Sequence, residues 1–300
     1  MPDAPYPLVE VAIEPQNEVA AAQLREALPQ LAAADPSFTF DHDPECGQTV
    51  LKGASEAHLE QKVLMLERVY EIAVEIGAPQ IAYRETLVRP ATIKYIHKKQ
   101  TGGSGQFAEV TIAFEPLPAG SGFKFDNAVA GDAIPEALVP AVERGLRAQK
   151  ESGLLAGFPV IDFKATLIDG KYHEMDSNPL AFDIAARGAF RELAQLDVVV
   201  PLEPIMALEV ATPEDFLGGV IGDLNSRRGT VAGTESGIDG FEIVTAEVPL
   251  VNLFGYGRAL LAMTGGRGRF TMSFARYALA PLPDSDPDPR FPGAMGMRVA

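Results

Sequence analysis

The sequence predicts an α+β protein of three domains. One order of hydrophobic periodicities, βαββαβ, occurs near the start, returns near the end, and brackets a unit of different pattern. A length of 300 residues suits two or three domains, and 47% apolar residues can fill ordinary cores.

In the first unit, Leu8 to Ile13 reads as a strand closed by Pro15. Asn17 is placed to cap a helix over Val19 to Ala33, with Ala20, Leu24, Ala27, Leu28 and Leu31 on one face. Pro29 is expected to kink or end that helix near Leu28. Phe38 to Asp41 and Thr49 to Lys52 read as a hairpin around a Pro44 to Gly47 turn. A second helix spans Ala57 to Tyr70, with Leu59, Val63, Leu66 and Tyr70 in register. Ala73 to Ile76 and Gln80 to Arg84 are strand-like, which completes a ferredoxin-like order.

The middle unit opens with alternation over Thr92 to Gln100, with Ile93 and Tyr95 on one face. A glycine loop, Gly102-Gly103-Ser104-Gly105, leads to a strand over Phe107 to Glu115. Ala108, Val110, Ile112 and Phe114 should face inward, and Glu109, Thr111 and Glu115 outward. A helix follows from Ile134 through Leu138, Val142 and Leu146. Then come a strand over Val160 to Leu167, a turn at Asp169-Gly170, and a helix over Leu180 to Leu193.

The last unit repeats the first. Ile205 to Val210 is a strand, and Pro213 to Asn225 a helix with Phe216, Val220 and Leu224 aligned. Thr230 to Thr234 and Phe241 to Val248 form a hairpin across a Gly237 to Gly240 turn. Leu253 to Met263 is a helix and Phe270 to Tyr277 the closing strand. The expected domains are 1–80, 81–200 and 201–280, with a Pro- and Asp-rich tail over 281–300 read as disordered.

Composition excludes several classes. No run of about 18 apolar residues is present, so no membrane span is expected. Met1 to Leu8 lacks the basic and apolar regions of a signal peptide. Cys46 is the only cysteine, which precludes an internal disulfide and fits a cytoplasmic location. In its polar surroundings it reads as a turn residue rather than a nucleophile. A net charge of −16 opposes general nucleic-acid binding, yet the cations cluster. Lys94, His97, Lys98 and Lys99 precede the glycine loop, Arg227 and Arg228 are adjacent, and Arg258, Arg267 and Arg269 fall close together. They are either solvated surface charge or local RNA-contacting patches.

No G-x-x-x-x-G-K-[ST] loop is present; Gly170-Lys171 is followed by Tyr172 and has no upstream glycine. These residues are therefore expected to bind no GTP. Gly102 to Gln106 joins two strands and opens no helix, so it lacks the geometry of a phosphate loop. It is either an ordinary turn or an exposed tip able to enter a narrow groove, with Gln106 offering donor and acceptor. Tyr172-His173-Glu174-Met175-Asp176 offers metal-ligand residue types, but neighbours on one strand end point to opposite sides and no second cluster accompanies them. No metal site is expected, and His58 at a helix start reads as packed or capping. Ile221 to Gly229 reads as a helix C-terminus carrying two cations, and Gly265-Gly266-Arg267-Gly268-Arg269 is a second glycine-arginine turn at the equivalent place. Dipole complement and an RNA-facing edge both fit these turns.

Together these stretches resemble elongation factor G. The resemblance rests on Gly157 to Val160, Asp169 to Ser177, Leu202 to Met206, Ile221 to Gly229, Leu253 to Tyr256, Met263 to Gly268 and Thr101 to Phe107, and runs from about Pro5 to Ala278. It implies the family's third, fourth and fifth domains, the middle one elongated with a left-handed crossover. It implies a role in translocation on the ribosome, with no catalytic residue in this chain. The decoding-centre tip would be Gly102, Gly103, Ser104, Gly105, Gln106, His173 and Asp176. Ribosomal RNA contacts would come from Arg227, Arg228, Arg258, Arg267 and Arg269. Coupling to a GTPase domain, in cis or in trans, would pass through Ser55, Glu56 and His58. GTP and Mg belong to the family's N-terminal domain, so no cofactor is implied here. Gly53-Ala54-Ser55-Glu56-Ala57-His58-Leu59 departs from the family's Gly-Met-Gly-Glu-Leu-His-Leu, Asn178-Pro179 also differs, and the acidic tail stands where the family has a helix. These departures suggest a divergent paralogue or a truncated form. Alternatives are a stand-alone ribosome-binding or ribosome-protection module, and an unrelated enzyme using His173 and Asp176.

Overall fold

The computed structural model describes residues 7–42, 49–77, 80–101, 104–238 and 240–281. The chain divides into two compact units, Met1–Ala82 with Pro204–Arg276, and Tyr83–Glu203 with Tyr277–Ala300.

The N-terminal segment comprises β1 (Val9–Pro15), α1 (Glu18–Ala34), β2 (Thr39–His42), β3 (Thr49–Gly53), α2 (Glu56–Arg68), β4 (Val74–Ile76) and β5 (Gln80–Ile81). Its antiparallel sheet has the order β2-β3-β1-β4, with β5 also on β1. Asn17 starts α1 by accepting the Ala20 N–H at 2.9 Å. The expected end near Leu28 does not occur: α1 continues through Pro29 to Ala34. Proline withdraws the donor from the Arg25 carbonyl, and both residues lie on the exposed side, where water replaces it. Leu24, Ala27, Leu28 and Leu31 are buried on both sides of the proline and hold the helix in place. α2 ends at Arg68, so Tyr70 lies beyond it. Cys46 and the Pro44 to Gly47 turn fall outside the described residues, as does the tail from 282.

The middle segment contains β6 (Arg84–Leu87), β7 (Ala91–Thr101), β8 (Ser104–Pro116), β9 (Phe123–Asn127), α3 (Val139–Glu151), β10 (Val160–Ile161), β11 (Phe163–Lys171) and α4 (Pro179–Glu192). Its main sheet has the order β7-β8-β11-β9, in which β9 and β11 are parallel and α3 lies in the crossover between them. Ala108, Val110, Ile112 and Phe114 are fully buried, as the alternation requires. Phe190 stacks between Phe114 and Phe163 at centroid distances of 5.8 and 5.3 Å. Gly188 lets α4 approach Tyr95, whose ring would meet a Cβ there at 2.3 Å.

Four expectations in this segment need correction. Glu109 is 5% exposed rather than outward in water. Lys171 stands opposite it in the β11 register, and Lys94 pairs with it at 2.9 Å. Asp169-Gly170 is not a turn but part of β11, where a register shift follows Leu167. Gly170 is required there because a Cβ would lie 2.3 Å from the Glu109 carbonyl. The strand from Val160 is broken by Asp162 at φ 57°, whose carboxylate caps the Gly120 and Gly122 N–H groups. The helix expected from Ile134 starts only at Val139, after a short 3-10 turn.

The C-terminal segment has β12 (Val199–Pro213), α5 (Leu217–Ser226), β13 (Thr230–Ser236), β14 (Phe241–Pro249), α6 (Tyr256–Met263) and β15 (Arg269–Leu279). Residues 205–213 of β12 pair with β14, β14 pairs with β13, and β15 pairs with β12. This repeats the strand order of the first segment. The helix expected from Leu253 begins at Tyr256, because Gly255 adopts φ 69° and separates it from a 3-10 turn at Leu250–Leu253. Phe216 likewise ends a 3-10 turn that precedes α5.

Candidate functional site

The middle segment brings two sequence-distant stretches together at one end of its sheet. β7 and β8 form a long hairpin that pairs through to Gln100↔Gly105 and Thr101↔Ser104. Gly102 and Gly103 themselves fall outside the described residues. Beside the hairpin, the turn that follows β11 carries His173 and Asp176. The Asp176 carbonyl accepts the Phe107 N–H at 2.9 Å. A Cβ on Gly105 would lie 2.6 Å from Asp176 Oδ1, so glycine there permits the contact. His173 Nδ1 lies 3.4 Å from Asp176 Oδ2, and the His173 side chain is 60% exposed.

Gln106 shares the core-facing side of β8 but lies beyond the core. Its Oε1 is 3.0 Å from His97 Nε2, so the imidazole orients the amide. Lys98 and Lys99 are exposed on the neighbouring strand. The end of the sheet thus carries the Lys98 and Lys99 ammonium groups and the exposed His173 ring, beside the carboxylates of Glu174 and Asp176. His97, named in sequence only as part of a cation cluster, and Ser177, named only within the motif stretch, act here as hydrogen-bonding partners of the tip. These roles emerge only when the strand register joins them to Gln106 and Phe107.

At the C-terminus of α5 the expected arginines divide. Arg227 turns inward: Nε is 2.7 Å from Asp223 Oδ2, Nη1 donates to the Asn252 carbonyl at 2.7 Å, and the guanidinium lies 5.1 Å from the Tyr256 ring centre. Burial, followed by the Asp223 charge, pushes the Tyr256 phenol far up. Arg228 is exposed and holds φ 60°, the left-handed position usually taken by glycine. Gly229 was expected to be the cap; its N–H instead closes the helix on the Leu224 carbonyl at 2.9 Å, and a Cβ there would lie 2.5 Å from that oxygen. Arg267 is exposed over the Phe216 ring at 5.1 Å, and Arg269 is exposed at the start of β15. Arg258 lies 3.4 Å from Glu60.

Ser55, Glu56 and His58 sit at the start of α2. Ser55 Oγ caps the helix by accepting the His58 N–H at 3.1 Å. Glu56 accepts the Gly255 N–H at 3.0 Å. His58 Nδ1 accepts the Ala54 N–H at 3.2 Å, while Nε2 lies 2.9 Å from Asp35, which fits the neutral tautomer with its proton on Nε2. Asp35 also pairs with Lys62 at 2.7 Å. The Lys62 ammonium, and then Ser37, hold the Asp35 carboxyl well below the usual carboxylate range.

Two βαββαβ segments and, between them in sequence, a segment whose parallel strands are joined by a helical crossover define a multidomain α+β protein. Three family models match in tandem: elongation factor G domain III over residues 4–78, domain IV over 79–196, and the elongation factor G C-terminus over 200–286. Elongation factor G of Anaplasma marginale (strain Florida) is 50% identical over 279 residues, 93% of this chain and 40% of that protein. Elongation factor G of Ehrlichia ruminantium is 49% identical over 92% of this chain and 40% of its own length. A crystal structure of a Thermus thermophilus protein superposes with a TM-score of 0.73 at 39% identity, covering 94% of this chain and 42% of that one. The chain belongs to the elongation factor G family and corresponds to its C-terminal part. It spans about 40% of the curated relatives it matches.

Proposed function

We propose that this chain is the ribosome-engaging part of a translation elongation factor that promotes tRNA–mRNA movement. The sheet end bearing Gln106 and His173 faces the small-subunit decoding region, and the helix ends bearing Arg228, Arg267 and Arg269 face large-subunit ribosomal RNA. One observation carries the reading: in a chain of net charge −16, exposed Lys98 and Lys99 lie on the hairpin that bears Gln106, and exposed Arg228, Arg267 and Arg269 lie just after helices of the C-terminal segment. Arg228 adds to it, since a non-glycine residue at φ 60° holds strain that selection for an exposed guanidinium would explain. Arg227 and Arg258 support the helix ends through their ion pairs. Ser55, Glu56 and His58 form the surface that couples to a GTPase domain, in cis or in trans. These residues hold no GTP or Mg, and the setting is the cytoplasm.

The test is ribosome affinity across a salt series. Phosphate contacts release counterions, so affinity falls as salt rises. Arg228→Gly should reduce the log–log slope by about one unit. The same change should raise unfolding stability by about 0.5–1 kcal/mol, because glycine accepts φ 60° without strain. An unchanged slope with raised stability would make Arg228 a helix-end charge only.

A further inference from the structure

We propose that Ser177 is the positioning residue of the tip, holding the His173 turn in place on the β7–β8 hairpin. The inference rests on the reading that this tip meets ribosomal RNA. Ser177 Oγ donates to the Phe107 carbonyl at 2.7 Å and accepts the His173 N–H at 2.8 Å. The Ser177 N–H donates to the His173 carbonyl at 2.9 Å, and the Phe107 N–H donates to the Asp176 carbonyl at 2.9 Å. β11 pairs with β8 only as far as Lys171↔Glu109. Two residues further along β8, Phe107 has both backbone groups satisfied by residues 176 and 177 instead of by a strand. The turn therefore substitutes for the missing end of β11, and the Ser177 hydroxyl joins its two sides.

The His173 ring gains little position from packing. Its side chain is 60% exposed, and its ring contacts, to Asp176 Oδ2 and the Met175 N–H, are both 3.4 Å. Its place is set by its backbone, and that backbone is tied to β8 through Ser177. The link needs a group that donates and accepts at once, which a hydroxyl provides and a methyl does not. Ser177→Ala would leave the Phe107 carbonyl and the His173 N–H without these partners, while Ser177→Thr retains the hydroxyl.

The experiment measures the affinity of the full chain for ribosomes at fixed salt, for Ser177→Ala, His173→Ala, their double variant and Ser177→Thr. Amide hydrogen exchange is followed in the free chain. His173→Ala and Ser177→Ala should each weaken binding by about fivefold, the equivalent of one hydrogen bond. The double variant should bind no more weakly than the single ones, because Ser177 acts through His173. Ser177→Thr should restore affinity. Exchange should quicken at His173 and Phe107 in Ser177→Ala but stay slow at Val110 and Ile112, which shows an intact core. Additive losses, or a Ser177→Ala chain that binds normally while His173→Ala does not, would overturn the proposal. If neither substitution alters affinity although exchange at His173 quickens, the RNA-facing reading of the tip fails, and the proposal fails with it.

Discussion

Asp35 gathers a hydrogen bond from Ser37 Oγ at 2.6 Å, the Lys62 ammonium at 2.7 Å and His58 Nε2 at 2.9 Å. Its carboxyl is held down chiefly by Lys62. A depressed folded-state value means that the ionised form is favoured by folding. The resulting stability is fully present above the unfolded value of about 4 and is lost progressively as pH falls from there through the depressed folded value. Lys62→Met should therefore cost about 1 kcal/mol at neutral pH, and the gap from the parent should close in acid. Urea unfolding at neutral pH and at steps down to the most acidic pH at which the chain still folds checks this, with the gap narrowing steadily below about pH 4. A gap that does not change with pH would place the effect in packing against Phe38, whose ring centre lies 5.4 Å from the ammonium. His58 was legible as a packed residue, but its partner was not. Asp35 lies 23 positions away, and only the sheet brings the two together.

At the scale of elements, periodicity located both βαββαβ segments because their helices bury one regular face, as Leu59, Val63 and Leu66 do. It failed where local polar groups decide the backbone. Asp162 splits a strand, Gly255 delays a helix, and the exposed Pro29 leaves one intact. β9 escaped detection because its residues, Phe-Lys-Phe-Asp-Asn, are at most half-buried. Glu85 is the largest omission. It is fully buried, and its carboxylate accepts the N–H groups of Leu154, Leu155, Ala156 and Phe158 at 2.6 to 3.3 Å. No pattern in sequence marks a glutamate as the anchor of a loop some 70 residues away. Glu85→Gln turns one acceptor into a donor facing N–H groups and should destabilise the chain by about 2–3 kcal/mol, measured by denaturant unfolding. A change within about 0.5 kcal/mol would mean that the loop re-forms without the carboxylate.

For the molecule as a whole, the recurrence of one strand order in residues 9–76 and 205–279 was readable in sequence, and the family follows from motifs spread along the chain. The tip was readable in part. His173, Asp176 and Gln106 could be named from motifs, whereas the hydrogen bonds that join them depend on register across β8 and β11. The central claim is that the tip and the arginine-bearing helix ends meet different ribosomal surfaces. It is tested most directly by tethered hydroxyl-radical probing. A Cys46→Ser chain carrying an iron chelate at His173→Cys is compared with one carrying it at Arg228→Cys, each bound to ribosomes. Cleavage of small-subunit RNA near the decoding region from position 173, and of large-subunit RNA from position 228, is the expected result. The same cleavage pattern from both positions, or none above the unmodified chain, would contradict the account.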